Sequence, residues 1–322
     1  MQANEKSKAQ ERGRLNRCMA SDFVQKNIYQ QRINAVIRYV RENLDSDLSL
    51  ETLAQVASFS PFHFHRVFKA MTDETINELV VRLRLERAAA LLRATPDLSI
   101  TDAAFESGFT AVATFSRAFK KHFGLTASAW DRQSPLKNSK IDQANAALPR
   151  YTVAMLAEFA QQDAYRVTIR SLPTQRLAYI RVYDAYNNPG QVGAAYEQLL
   201  AWYGQQGGDV AQTTLYGMSQ DDPEITPLHL CRFDWCLAVP ADWPATGPVS
   251  LQTLPACQVA TMRVVGDLAQ EDRALQYLFR YWLPRSRYQP ANLPAMEIYR
   301  QFPADTGWER FDMDCAVPVV AL

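Results

Sequence analysis

The chain has 322 residues, enough for two domains of ordinary size, and its 48% apolar content excludes global disorder. Its 34 basic and 34 acidic residues cancel, so overall charge selects no class of partner. No apolar run approaches the ~20 residues of a membrane-spanning helix, and the polar first twenty residues hold no secretory core.

Residues 1–28 read as a flexible basic tail. Over 1–32 seven basic residues face three acidic ones, and Met19 offers an alternative start. From Tyr29 the pattern is helical. Ile33, Val36, Ile37, Val40 and Leu44 recur at helical spacing, and LSLETLAQVA then opens a second helix with Ser49 as N-cap. Thr52 falls where a capping box usually has Glu or Gln.

Two segments repeat. LSLETLAQVASFS (48–60) returns as LSITDAAFESGFT (98–110), and FHFHRVFKAMTD (62–73) as ATFSRAFKKHFG (113–124). Each copy reads as helix, tight turn, helix. Gly108 suits a left-handed turn in the second copy, where the first has Ser58. Helical spacing buries Phe64, Val67, Phe68 and Met71 in one copy and Phe115, Ala118, Phe119 and Phe123 in the other. It turns Phe62, His65, Arg66 and Lys69 outward in the first, and Val112, Ala113, Ser116, Arg117 and Lys120 in the second. Residues 75–94 form a helix between them, with Ile76, Leu79, Val80, Leu83 and Leu91 on one side, and span roughly 30 Å. Two such helices about 34 Å apart meet successive major grooves of one DNA duplex. A plain helical bundle is the alternative that charge alone leaves open, since 29–132 carries thirteen basic and twelve acidic residues. His63, His65 and His122 have no Cys or His at ligand spacing, and no metal or other cofactor is expected.

Residues 29–132, through LSLETLAQVASFSPFHFHRVFK and GFTAVATFSRAFKKHFGLTASAW, resemble the AraC/XylS-type DNA-binding domain. The resemblance implies an all-α, homeodomain-like double helix-turn-helix. Its base-reading positions fall on Phe62, His65 and Arg66 and on Val112, Ala113 and Arg117. Ala127, where proline is usual, and Asp131, where an aromatic–arginine pair is usual, depart from the pattern at the domain's exit.

Residues 133–163 are mixed and polar around Pro135 and Pro149 and read as a linker. From about residue 164 to 322 strand-like alternation takes over. This half also repeats: SLPTQRLAYIRVY (171–183) matches TLPACQVATMRVV (253–265), and RFDWCLAVP (232–240) matches RFDMDCAVP (310–318). A helix lies between the members of each pair, so a pseudo-twofold α+β domain with a central cleft is expected. Matching TLYGMSQDDP (214–223) with AMEIYRQFP (295–303) makes Gly217 the counterpart of Glu297. Glu297 sits in an apolar strand, where an unpaired charge is expensive. Arg181 and Arg263 are its candidate structural partners.

Residues 164–322, through CRFDW, YWLP and PAMEIY, resemble the GyrI-like small-molecule-binding domain. The resemblance implies that Glu297 is the pocket acid for a small lipophilic or cationic effector. Tyr299, Trp235, Tyr277 and Trp282 are its candidate walls, with core packing as their alternative. The whole then reads as a cytoplasmic transcriptional regulator whose two reading units occupy double-stranded DNA, and the family implies contact with RNA polymerase. The rival is enzymatic. Some GyrI-like proteins hydrolyse reactive small molecules, and Glu297 is then a general base. The five cysteines, Cys18, Cys231, Cys236, Cys257 and Cys315, form no CxxC pair and read as reduced thiols.

Overall fold

The computed structural model describes residues 27–130 and 151–322, apart from Pro96, Thr152, Gln161, Asp163, Ala164 and the side chains of Phe62 and Val153. The basic tail up to residue 26 and residues 131–150 of the expected linker lie outside the described residues.

Among the described residues, six α-helices build the N-terminal domain. The first, α1, covers 27–42 and buries Ile33, Val36, Ile37 and Val40. Helix α2 (Leu50–Val56) starts at Ser49, whose hydroxyl accepts the Thr52 N–H at 3.2 Å. The Thr52 hydroxyl lies 2.9 Å from the Ser49 hydroxyl, a local substitute for the missing capping-box acid. The chain then turns at Ser58, with φ 53°, into α3 (Pro61–Thr72). Helix α4 (Ile76–Ala94) opens with a complete capping box between Thr75 and Glu78. Then come α5 (Ile100–Glu106) and α6 (Val112–Phe123).

Helix α4 serves two cores. Ile76, Leu79, Val80 and Leu83 pack with Phe64 and Phe68 of the first unit. Leu85, Ala88, Ala89 and Leu92 pack with Phe115, Phe119 and Phe123 of the second. Leu91, expected on the first stripe, is only half-buried. The apolar face rotates along the helix because it must meet two units in turn.

The C-terminal domain is one antiparallel sheet. Its strands are β1 (Thr168–Leu172), β2 (Gln175–Tyr183), β3 (Leu215–Ser219), β4 (Arg232–Ala238), β5 (Ser250–Leu254), β6 (Cys257–Gly266), β7 (Tyr288–Pro290), β8 (Ala295–Tyr299) and β9 (Phe311–Ala321). Their order is β1-β6-β9-β8-β3-β4-β2-β5, with β7 on β9. Three helices cover its outer positions: α7 (Val153–Phe159), α8 (Pro189–Gln205) and α9 (Leu268–Gln276), the last continuing into a π-helical turn over Tyr277–Trp282. Helix α7 falls inside the stretch read as a linker and packs Leu156 into the core of the second half.

The pseudo-twofold axis passes between β3 and β8. Gly217, the counterpart of Glu297, is therefore also its direct cross-strand partner. Trp235 faces Gly217 and Cys315 faces Glu297. This register makes Trp235 and Cys315 equivalent, two residues away from the match of the repeated RFD motif. A shift of two keeps every side chain on its face, so alternation alone does not reveal it.

The two domains are docked through buried polar contacts. Arg93 of α4 donates to Asp222 at 2.5 Å and to Glu224 at 2.6 Å in the β3–β4 connection. Arg41 donates to Gln220, and the Tyr183 hydroxyl donates to Asn34 at 2.8 Å. Ile225 packs in the core of the second reading unit.

Candidate nucleic-acid interface and effector cleft

Both recognition helices end in left-handed residues, Asp73 with φ 60° and Gly124 with φ 79°, which stop each helix sharply. Ser60 caps α3 and places Pro61 at its first turn, where a missing N–H costs nothing. The second turn needs its glycine. Gly108 has φ 89°, and a Cβ there would lie 2.0 Å from the Leu44 carbonyl oxygen. Arg84 of α4 donates to that same oxygen at 2.8 Å, tying α4 to the turn after α1.

On α3, His65, Arg66 and Lys69 are exposed beside the buried Phe64 and Phe68. On α6, Ala113, Ser116, Arg117 and Lys120 are exposed and Val112 is half-buried. Two basic, solvent-facing helix surfaces are thus held on opposite halves of α4. Such surfaces suit phosphate contacts and base edges alike.

The candidate effector site centres on β8. Glu297 is 7% exposed in β8 and accepts the Tyr299 hydroxyl at 2.5 Å. Tyr299 packs against the cores of both halves, which places it at the seam between them. Trp235 stands 5.4 Å from Tyr299, and Trp308 stands 6.2 Å from Trp235. Trp308 is 37% exposed, so these rings lead from the acid to the surface. Gly217 leaves the space that the carboxyl fills: a Cβ there would lie 2.3 Å from Glu297 Oε2.

Neither candidate arginine holds Glu297. Arg181 donates two bonds of 2.7 Å to Asp234, and Arg263 pairs with Asp312 at 2.9 and 2.8 Å. Its partners among the described residues are instead Tyr299 and a second acid, Glu271 of α9. Burial raises the Glu297 pKa, partly offset by the hydrogen bonds from Tyr299 and Glu271. Burial and then the neighbouring Glu297 push Glu271 well above the carboxylate range. Glu271 and Trp308 were missed by sequence reasoning. Glu271 lies in a polar helix start, LAQEDRALQ, and Trp308 in a turn.

Tyr277 and Trp282 make other ring contacts. Tyr277 meets Tyr165 at 5.1 Å and Tyr281 at 5.2 Å, while Trp282 stacks on Tyr288 at 6.0 Å. Both belong to the core of the second half.

Residues 53–133 match a helix-turn-helix domain family, and residues 165–320 match the GyrI-like small molecule binding domain. The regulatory protein SoxS of Salmonella typhimurium is 33% identical over 31% of this chain and 92% of its own. The transcriptional regulator Rob of the same organism is 35% identical over 32% of this chain and 35% of its own. A solved EcmrR–DNA complex aligns over 85% of this chain and 99% of its own, with 14% identity and a TM-score of 0.39. The assignment rests on the regulators, whose likeness covers the two helix-turn-helix units. The chain belongs to the AraC/XylS family of DNA-binding transcriptional regulators and carries a GyrI-like small-molecule-binding domain.

Proposed function

We propose that the cleft at Glu297 receives a lipophilic cation and that its occupancy sets how α3 and α6 engage DNA. The observation that carries this reading is a buried carboxyl beside packed aromatic rings, with no ion pair to any described cation. A ligand cation supplies the missing charge, and Tyr299, Trp235 and Trp308 supply cation–π faces worth about 0.5–2 kcal/mol each. Because both reading units lie in one chain, a single copy can span two successive major grooves. Contact with RNA polymerase and a cytoplasmic location follow from the same role.

Sensing is favoured over turnover. In the hydrolytic reading Glu297 is a general base and needs an ionised carboxylate facing water. Here it is buried, accepts from Tyr299 and is hydrogen-bonded to another acid. The test is a titration of the full chain with tetraphenylphosphonium, followed by tryptophan fluorescence, beside Glu297→Gln. Saturable quenching in the parent and its loss in a variant that melts normally support the reading. Equal affinity in both overturns it, and consumption of a candidate ligand reinstates the enzyme.

A further inference from the structure

We propose that Glu271 is a second acid of this cleft, sharing one proton with Glu297 in the resting protein, and that a bound monocation expels that proton. This rests on the reading of the cleft as a cation site.

The placement of Glu271 is fixed by the start of α9. Asp267 and Gln270 form a capping box with both bonds at 3.0 Å. Gln270 packs over Gly266 at the end of β6, where a Cβ would lie 1.5 Å from Gln270 Oε1. That docking directs the next residue, Glu271, towards the sheet. Its side chain is 9% exposed and hydrogen-bonded to Glu297, itself 7% exposed.

Two buried carboxyls in hydrogen-bond contact cannot both ionise without strong repulsion, and one proton held between them removes it. Among the described residues, the groups around the pair supply no cation. Tyr299 on β8 donates to Glu297. Cys315 faces Glu297 from β9, and Asp314 lies beside it on that strand. On α9, Asp272 adds a further negative charge near Glu271. Gly217 on β3 contributes no charge. The resting pair therefore carries one negative charge. When a monocation enters, the shared proton leaves to solvent, both carboxyls become ionised and the cleft keeps the same net charge. No other bond forms or breaks.

The sign of the pH dependence follows. Binding that releases one proton tightens about tenfold per unit of rising pH, until the pair loses its proton unaided. The probe is tetraphenylphosphonium, whose own charge does not titrate. Calorimetry of the full chain in two buffers of different ionisation enthalpy counts the protons released. We expect about one per cation in the parent and near none in Glu271→Gln, which retains an amide donor for Glu297 and still binds. Cation binding without proton release in the parent overturns the shared proton while leaving the cation cleft standing. Release that persists in Glu271→Gln assigns the proton elsewhere and also overturns it. Failure of the parent to bind the cation at any pH removes both readings. A circular dichroism spectrum of the variant confirms its fold, and the parent's proton count alone decides the proposal if that variant does not fold.

Discussion

Gly217 and Glu297 face each other across the pseudo-twofold axis, and the Glu297 carboxyl occupies the volume that a side chain at 217 would need. A Cβ there would meet Glu297 Oε2 at 2.3 Å and Phe233 Cζ at 2.7 Å. Gly217→Ala should therefore displace the acid, cost about 1–3 kcal/mol of stability through overpacking, and weaken cation binding. Denaturant melts and the fluorescence titration check both effects. Unchanged affinity in the alanine variant would show that the carboxyl's position is immaterial to the ligand.

Arg66 is exposed on α3 within a basic surface. An arginine at such a position can grip guanine bidentately, so Arg66→Ala should weaken operator binding by about 1–3 kcal/mol and scrambled DNA by less. The helix α6 offers small Ala113 and half-buried Val112 beside Arg117, and small apolar side chains can meet thymine methyls but make no hydrogen bonds to bases. Selection from random DNA should then yield a sharper half-site for α3 than for α6. Equal loss on both DNAs would make Arg66 a phosphate contact.

The Arg93 guanidinium clasps the C-terminal domain to α4 through Asp222 and Glu224, and Arg280 reaches Glu224 at 3.4 Å. Removing it leaves two partly buried carboxylates with less compensation. Arg93→Ala should cost about 3 kcal/mol and separate the melting of the two domains. A single cooperative transition at the parental temperature would show that the clasp contributes little to docking.

Asp272 gives a pH signature. Burial, and then the charge of Glu224, raise its pKa to about 6. Because the folded value lies above the unfolded one, the folded state holds the proton more tightly. The associated stability is fully present below about pH 4 and is lost as pH rises through about 6. Asp272→Asn should abolish that loss. The variant should exceed the parent in stability by about 1–3 kcal/mol above pH 6 and approach it near pH 4. Melting curves across pH 4–8 measure the difference, and parallel profiles would place the ionisation elsewhere.

The sequence by itself determined the parts that repeat or follow local periodicity. Ser49 marks a helix start, and Gly108 marks a turn. The spacing of Phe64, Phe68, Phe115, Phe119 and Phe123 fixed which faces of α3 and α6 are buried, because helical geometry relates neighbours three and four apart. The equivalence of Gly217 and Glu297 was legible too, since equivalent strands beside a twofold axis pair with each other. Tertiary structure alone decided what Glu297 touches. Arg181 and Arg263 shared its sheet and charge logic, yet Arg181 pairs with Asp234 directly across the strands and Arg263 reaches diagonally to Asp312. Glu271 reached the acid from a helix whose local sequence looks solvent-facing, because docking of Gln270 on Gly266 turned that helix inward. The clasp of Arg93 on Asp222 and Glu224 joins residues more than a hundred positions apart. Periodicity carries no information across such a distance, and only the packing of one domain against the other brings those charges together.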